Sequence, residues 1–467
     1  MDLAAFRVRA RSGDRGGHRI SLVMPAKAGI QGTDEEPASS STATPDSRLR
    51  GSDAEKGCRR GVAGVASLFA MAVMAVASAP AWADPDYEEV SGYVATEARL
   101  FPNDPQFSEQ RRHDISIVAE PEYYAEWEDR SSLAVSPFLR IDSADGERTH
   151  ADIREALYRR VQEDFDLAVG VGRVFWGVAE SQHLVDIVNQ TDLIENVDEE
   201  DKLGQPMVNV TLLRDWGTLN VFYLPYFRER TFPGRRGRLR TGFVVDSDTA
   251  IYDSGARHWH PDVAVRYSDS RGAWDYGIYH FYGTSREPAF VPTFNAGGTV
   301  VLVPRYDLIN QTGIDVQYTT GAWLWKLEAL FRQGQRNIRG EEENYGAWVG
   351  GFEYTFFGVG ESDVDVGILG EWSYDTRGSR ATRAFDNDVF VGTRIAFNDI
   401  QSTEILAGII QDLNDSGRLI SLEASRRIGA SYKLSLELRA FAGIPSADIL
   451  DSVRRDDHLL VEFAYYY

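Results

Sequence analysis

The sequence predicts an all-β chain: a transmembrane, antiparallel, up-and-down β-barrel of about 18 strands, with 16 strands as the alternative. Three observations support this fold class. Apolar and polar residues alternate along the predicted strands, the connections alternate between short and long, and Tyr and Trp gather near strand ends. Only one stretch, Val62 to Pro80, is apolar enough to span a bilayer as a helix. The rest of the chain would therefore cross a membrane by strands.

The connections carry the clearest signal. Short ones are predicted at 128–131, 163–166, 214–217, 268–272, 319–322, 358–363, 397–402 and 428–431. Longer ones lie between them, notably at 176–206, 229–258, 285–301, 376–387 and 442–457. This alternation is typical of an outer-membrane barrel, which has tight turns at the periplasmic rim and long loops outside. Both chain termini of the barrel would then be periplasmic.

The strands show a period of two. In "SYKLSLELRAF" (431–441) one face holds Tyr432, Leu434, Leu436, Leu438 and Ala440, and the other holds Lys433, Ser435, Glu437 and Arg439. Such a strand has an apolar face for lipid and a polar face for water. One segment departs from the pattern, because "ADIREALYRRV" (151–161) puts Glu155 and Arg159 on the face of Ile153 and Leu157. A soluble β-sandwich is the alternative, but its strands are usually shorter.

The N-terminal region predicts export. Arg59 and Arg60 precede the apolar run, and Ala81-Trp82-Ala83 is a small-residue cleavage site, so residues 58–83 are predicted to be a signal peptide for general secretion. The alternative is an uncleaved anchor, which Pro80 disfavours. Residues 1–57 are polar and rich in Ser, Pro and Gly, and are predicted to be disordered. Within them "VMPAKAGIQ" and "DSRLRGSD" resemble translated intergenic repeats of proteobacterial genomes, and our hypothesis is that this segment is an extension ahead of the true start.

Composition excludes several classes of function. The single cysteine, Cys58, precedes the predicted cleavage site, so thiol and disulfide chemistry are not expected in residues 84–467. Removing the 11 basic and 8 acidic residues of positions 1–83 leaves 38 basic and 63 acidic residues, a net charge of −25. A chain this acidic is not expected to bind nucleic acid.

The C-terminal strand "HLLVEFAYYY" predicts an assembly signal. Leu459, Val461, Phe463, Tyr465 and Tyr467 share one wholly apolar face. An apolar strand at a free end invites pairing with another chain unless a barrel closes over it. We therefore expect it to pair with the first strand, near Ser91 to Phe101. Phe463, Tyr465 and Tyr467 resemble the C-terminal signal of outer-membrane barrels, which implies barrel-assembly machinery and periplasmic chaperones as partners.

Three longer segments, at 167–207, 223–234 and 302–334, resemble a large family of Gram-negative porin-like barrels that is broadly similar to the alginate-export barrels. The resemblance covers most of residues 90–467. It implies a channel in the outer membrane of a Gram-negative bacterium for diffusion, export or uptake of small solutes, with lipid and lipopolysaccharide around it. The family provides no established catalytic or solute-binding residues, and the solute is unknown.

An enzyme is the alternative from another class, since some outer-membrane barrels are lipases or proteases; a non-conducting surface-recognition barrel is a further one. Seven histidines lie in residues 84–467, but none is in a nucleophile motif and no G-x-S-x-G occurs. His258 and His260 could share a metal ion only if a loop closed over them. We therefore predict no enzyme activity, no cofactor and no metal site.

The loop from Trp176 to Pro206 mixes aliphatic residues with acids, and we predict that it folds into the lumen as a constriction. Its aliphatics would pack on the wall while its carboxylates face water. The candidate constriction residues are Asp192, Glu195, Asp198, Glu199, Glu200 and Asp201. The candidate pore-wall residues are Arg140, Arg266, Arg394, Lys433, Glu437 and Arg439, which would set up a transverse field. The alternative is a loop lying over the outer rim or binding a partner.

The next long loop is rich in arginine. Its arginines are Arg228, Arg230, Arg235, Arg236, Arg238 and Arg240. They could pair with the acids of the preceding loop or with lipopolysaccharide phosphates, and the acids could bind divalent ions. The alternative is that both loops are solvated tips, as charge runs on loops commonly are.

Overall fold

The computed structural model describes residues 84–467. The predicted disordered segment 1–57 and the predicted signal peptide 58–83 lie outside the described residues, and both stay predictions. Among the residues that are described, no helix is long and apolar enough to cross a membrane.

Residues 84–467 form 21 β-strands and five short 3-10 helices. The strands are β1 (Tyr87–Leu100), β2 (His113–Glu126), β3 (Ser131–Asp142), β4 (His150–Val161), β5 (Asp166–Gly172), β6 (Gln205–Arg214), β7 (Gly217–Leu224), β8 (Ile251–Tyr252), β9 (Asp262–Arg271), β10 (Trp274–Thr284), β11 (Ala289–Phe294), β12 (Val300–Tyr306), β13 (Leu308–Thr320), β14 (Trp323–Arg336), β15 (Glu342–Phe356), β16 (Asp365–Asp375), β17 (Asn387–Ala396), β18 (Glu404–Asp412), β19 (Arg418–Ile428), β20 (Tyr432–Ala442) and β21 (His458–Tyr466). The short helices lie in connections, at Ser247–Thr249, Arg257–Trp259, Val359–Glu361, Gly378–Arg380 and Ile449–Val453.

Eighteen of these strands form one closed antiparallel sheet, in which each barrel strand pairs with the next along the chain. The barrel closes between β1 and β21, from the pair Tyr93 and Tyr466 to the pair Leu100 and Leu459. The predicted strand number and the predicted closing pair are both confirmed. Closure leaves no edge strand in the barrel, which is why the apolar terminal strand does not need another chain.

The short connections lie at one rim and the long ones at the other, because the strands run alternately up and down. All eight predicted short connections are confirmed, although β9 runs through Arg271 and its turn is 272–273 instead of 268–272. One predicted loop needs correction. The connection expected at 285–301 contains the hairpin β11–β12, and β8 adds to that hairpin in parallel.

The barrel has an apolar outer face and a polar inner face. In β20, Leu438 is 39% exposed and the neighbouring Arg439 only 7%. The same alternation holds in β16, where Ile368 and Trp372 are exposed and Glu371 is buried. Aromatic rings also contact each other in a tilted arrangement near the short-turn rim, at Trp274 with Tyr318 and at Trp323 with Tyr354. Such an apolar band with aromatic rings at its border matches the outer surface of a barrel in lipid.

The irregular segment of β4 has a structural cause. The register with β3 shifts between Ser136 and Pro137, so Arg154 is an extra residue in β4 that forms a β-bulge. Ile153 before the bulge is exposed, whereas Leu157 after it is buried on the inner side of the barrel, in a cluster with residues of the connection between β5 and β6. The expectation that Ile153 and Leu157 share a face is therefore wrong, because a bulge reverses the alternation.

Candidate functional site in the lumen

Residues 173–204, here called the lumenal loop, connect β5 and β6 and cross the barrel interior. Its two ends leave the wall side by side. Glu180 nevertheless contacts Arg394 of β17 at 2.8 Å, and β17 lies nine strands from β5 in the 18-stranded sheet, halfway round the barrel. The loop therefore spans the lumen from one wall to the other.

The aliphatic residues of the loop pack on inward side chains of the wall. Trp176, Val185, Ile187 and Val188 form one buried cluster with wall residues from β4, β6, β7, β9, β10 and β13. The wall residues are Leu157, Met207, Phe222, Leu224, Ala264, Tyr279, Phe281 and Ile309. A loop surrounded by water could not bury these side chains, so the burial of apolar surface drives the loop into the lumen.

A second apolar cluster lies on the opposite wall. There Ala179 and Leu184 of the loop pack on Leu330 of β14 and on Tyr345 and Val349 of β15. Two wall carboxylates flank this cluster. Glu328 of β14 accepts hydrogen bonds from three loop N–H groups, those of Val178 (2.7 Å), Ala179 (2.9 Å) and Val185 (3.2 Å). Glu371 of β16 accepts from the N–H groups of Glu180 and Ser181, each at 2.8 Å, and from the Ser181 hydroxyl at 2.7 Å.

The predicted pore-wall residue Arg394 binds Glu180, a loop acid outside the predicted set. Lys326 of β14 approaches the same Glu180 oxygen at 3.5 Å. Burial alone would raise the pKa of Glu180, but these two cations outweigh it and hold the pKa below its ordinary value. The pKa of the nearby His183 is also lowered, but here burial is the main cause, followed by Lys202; it lies at about 4, so His183 is neutral at pH 7.

The predicted residues Arg140 and Glu195 contact each other on the near wall. Arg140 of β3 donates to both oxygens of Glu195, at 3.0 and 2.5 Å, and to Glu97 of β1 at 3.0 Å. Arg148, in the connection between β3 and β4, donates to the Ile194 carbonyl at 2.9 Å and also pairs with Glu97. The side chains of this network are all buried. The forked guanidinium of arginine suits such two-oxygen contacts, which explains why arginine and not lysine is used.

Asp192 lies beside this network. It pairs with Arg154, the bulge residue of β4, at 2.7 Å and accepts a hydrogen bond from the Thr231 hydroxyl at 2.5 Å. His150 approaches Asp192 at 3.9 Å and Glu195 at 3.5 Å. These three side chains could meet at a metal ion, but each carboxylate already has an arginine partner, so an added cation would face two guanidinium groups.

The predicted residues Asp198, Glu437 and Arg439 form a further contact. Arg439 of β20 donates to Asp198 at 2.8 Å, to Glu437 at 2.5 Å and to Glu423 at 3.3 Å. Asn196 of the loop also donates to Glu437, at 3.0 Å. The loop is thus bound to β20 as well as to β1, β3 and β4.

The remaining predicted residues have varied positions. Glu199 pairs with Arg230 at 3.1 Å, the N–H of Glu200 donates to Asp198, and Asp201 is exposed. Lys433 occupies an inward position in β20, opposite Arg427 of β19. Arg266 donates to Asp315 of the wall, at 2.6 and 2.8 Å, and lies over the Trp176 ring.

Two parts of the constriction prediction are wrong. Asp192 and Glu195 do not face water, because both are buried in ion pairs with wall arginines. The expected transverse field between separated charges is replaced by direct contacts for Arg140, Arg394 and Arg439. Charges buried between the loop and the wall pair directly, since an unpaired buried charge is costly.

The sequence reasoning missed several contacts, above all Glu328, Glu371, Arg148 and Arg154. Period-two alternation places Glu328 and Glu371 on the inward faces of their strands. It could not have shown that their partners are backbone N–H groups of a remote loop. Arg148 lies in the connection between β3 and β4, and Arg154 is the bulge residue of β4; the alternation applies to neither position.

The arginine-rich connection between β7 and β9, residues 225–261, contacts the connection between β20 and β21. Arg238 donates to Asp456 at 2.8 Å, and the Leu239 N–H donates to the same carboxylate at 2.6 Å. Of the predicted pairings between the two loops, Arg230 with Glu199 is present. The two histidines of this region do not meet: His258 contacts Tyr252 and Glu229, and His260 contacts Asp262.

The predicted assembly residues lie on the outer face at the short-turn rim. Phe463 and Tyr465 are exposed beside Tyr432 of β20; the Phe463 ring stacks on it with centroids 5.4 Å apart, and the Tyr465 ring is tilted against it at 5.3 Å. Tyr467 follows the last strand, and its N–H donates to the Gly92 carbonyl of β1. These side chains are therefore accessible from outside the barrel.

Comparisons with known proteins concern the fold. No protein-family model and no curated protein matches the chain. Among solved structures, Pseudomonas aeruginosa OccD3 (OpdP) is 10% identical, with a TM-score of 0.47 and coverage of 83% of this chain and 93% of that one. A mutant of the Rh. blastica porin is 12% identical, with a TM-score of 0.40 and coverage of 82% and 100%. OmpT, an outer membrane protein of Vibrio cholerae, is 9% identical, with a TM-score of 0.43 and coverage of 82% and 99%. All three TM-scores lie below 0.5. Similarity to alginate-export barrels stays an expectation from the sequence.

Proposed function

We propose that the protein is a channel of the Gram-negative outer membrane, in which the lumenal loop narrows the passage for small solutes. The contact between Glu180 and Arg394 carries this proposal. Arg394 is in β17, half the circumference of the barrel away from β5, where the loop begins. At 18 strands, wall side chains alone do not fill a barrel, so a passage is expected beside the loop. The apolar outer face, with its aromatic border, supports a location in lipid.

Single-channel recordings in planar bilayers test the channel itself. The purified full chain is expected to give discrete conductance steps, and the variant without residues 180–202, joined by a short Gly-Ser linker, to give steps larger by roughly a factor of two or more. The larger step follows because the linker cannot reach the opposite wall. The absence of steps from a folded barrel would favour the non-conducting recognition barrel instead.

The matched control shortens the hairpin β11–β12, which lies in a connection and carries the exposed Phe294. Shortening only the tip of this hairpin, around Phe294, keeps Tyr306 and leaves the lumenal loop and its wall contacts in place, so conductance is expected to stay unchanged. Both variants need the folded band that a heat-modifiable barrel shows on a gel. Equal conductance for the two deletions would contradict a constriction at the lumenal loop.

Neutralising the acids of residues 198–201 is expected to shift ion selectivity towards anions. The changes are Asp198→Asn, Glu199→Gln, Glu200→Gln and Asp201→Asn. Arg439 and Arg230 then lose loop carboxylates, and the lumen gains net positive charge there. The reversal potential in a KCl gradient measures the shift. As a control, Glu361→Gln with Asp363→Asn removes two exposed acids at the short-turn rim, and a shift of equal size in that variant would contradict the assignment.

A further inference from the structure

Two wall carboxylates have hydrogen-bond partners only in the lumenal loop. Within residues 84–467, every hydrogen bond to the side-chain carboxylates of Glu328 and Glu371 comes from residues 178–185. Neither carboxylate forms a salt bridge in this part of the chain. Glu328 is fully buried and Glu371 is 4% exposed. This distinguishes them from Glu97 and Glu195, whose charges are balanced by arginines.

The chemistry of these contacts suits holding backbone. Residues 178–185 are in neither helix nor strand, so their N–H groups have no regular backbone partner. Buried N–H groups need an acceptor, and a carboxylate offers two oxygens with several acceptor positions. Glu328 uses both oxygens for three N–H groups, and Glu371 uses both for two N–H groups and one hydroxyl. The loop amides in turn replace the water that these charges would otherwise need.

We infer that Glu328 and Glu371 are positioning residues that fasten the far part of the lumenal loop to β14 and β16. The inference deepens the proposed function and rests on it, because fastening the loop fixes the width of the passage. The loop then has two kinds of attachment. Arginine–carboxylate pairs bind residues 192–198 to the near wall, and the two wall carboxylates bind residues 178–185 to the far wall.

The double variant Glu328→Gln with Glu371→Gln tests the inference. Glutamine has nearly the same shape, but its amide nitrogen is a donor and would point at N–H groups that are donors as well. The far part of the loop is therefore expected to detach while the barrel strands keep their pairing. Each single variant is expected to show a smaller effect of the same kind.

A readout independent of conduction is the labelling of a cysteine at position 182. The parent for this measurement is the full chain with Cys58→Ser and Gln182→Cys. Maleimide is expected to react with the introduced cysteine at least about tenfold faster when both carboxylates are replaced. The reason is that losing hydrogen bonds to a charged group shifts the equilibrium between attached and detached loop by that factor or more. Single-channel conductance is expected to rise in the same variant. The heat-modifiable band verifies folding, and the single variants serve if the double variant does not fold.

Asp388→Asn is the matched control. Asp388 is a buried inward carboxylate of β17 that accepts a backbone N–H at 3.0 Å, but the donor is Asn387 and not the loop. Its replacement is expected to leave the labelling rate unchanged. Equal labelling of the folded double variant and its parent would overturn the inference. Faster labelling with unchanged conductance would uphold the two positioning residues and contradict the proposal that the lumenal loop narrows the passage.

Discussion

Removing residues 463–467 is expected to abolish assembly of the barrel into a membrane. β21 pairs with β1 on one side and with β20 on the other. The truncation removes four of the eight residue pairs between β21 and β1, from Thr96 with Phe463 to Tyr93 with Tyr466. Backbone groups of β1 and β20 would then face lipid without partners, and each such group costs several kcal/mol.

The measurement is the yield of heat-modifiable barrel in the membrane fraction. Two point variants separate closure of the sheet from recognition of side chains. Phe463→Ala and Tyr465→Ala keep the backbone pairing but remove two exposed rings. If these variants assemble normally while the truncation fails, closure is the cause and the assembly-signal role of the rings is contradicted. Normal assembly of the truncated chain would contradict both the closure explanation and the assembly-signal role of the rings.

Replacing Arg140 is expected to give the second large effect. Arg140→Leu leaves Glu195 without its two-oxygen partner and takes one cation from Glu97, both within buried surroundings. Breaking a buried ion pair by removing one partner costs about 3–5 kcal/mol. The temperature at which the folded gel band converts to the unfolded one is expected to fall clearly.

A double-mutant cycle tests this explanation. Adding Glu195→Leu to Arg140→Leu removes the unpaired loop carboxylate, so much of the lost stability is expected to return. An exposed pair provides the control: Arg426 is 53% exposed and contacts Asp399 at 3.1 Å, and Arg426→Leu is expected to cost less than about 1 kcal/mol. Equal losses for Arg140→Leu and Arg426→Leu would contradict the buried network as a source of stability.

The sequence by itself determined the barrel. Period-two alternation depends only on neighbouring residues, so the inward and outward faces of β20 could be assigned directly. The short turns and long connections are equally local, and together they gave the strand number and the closing pair of β1 with β21. The aliphatic residues of the lumenal loop likewise predicted that it packs inside, because apolar side chains avoid water.

Only the tertiary structure decided which groups meet inside the lumen. Glu180 and Arg394 are remote in sequence and come together because the loop crosses the barrel, and Glu328 meets the N–H of Val178 for the same reason. No local pattern reports such pairs, since a carboxylate bound to an arginine and one bound to backbone occupy the same inward position in a strand. The departure of residues 151–161 from the alternation was visible in the sequence, but only the pairing with β3 shows that Arg154 is the extra residue of a bulge. Local periodicity fixes the faces of the strands, whereas the pairing of buried charges depends on distances that exist only once the barrel has closed.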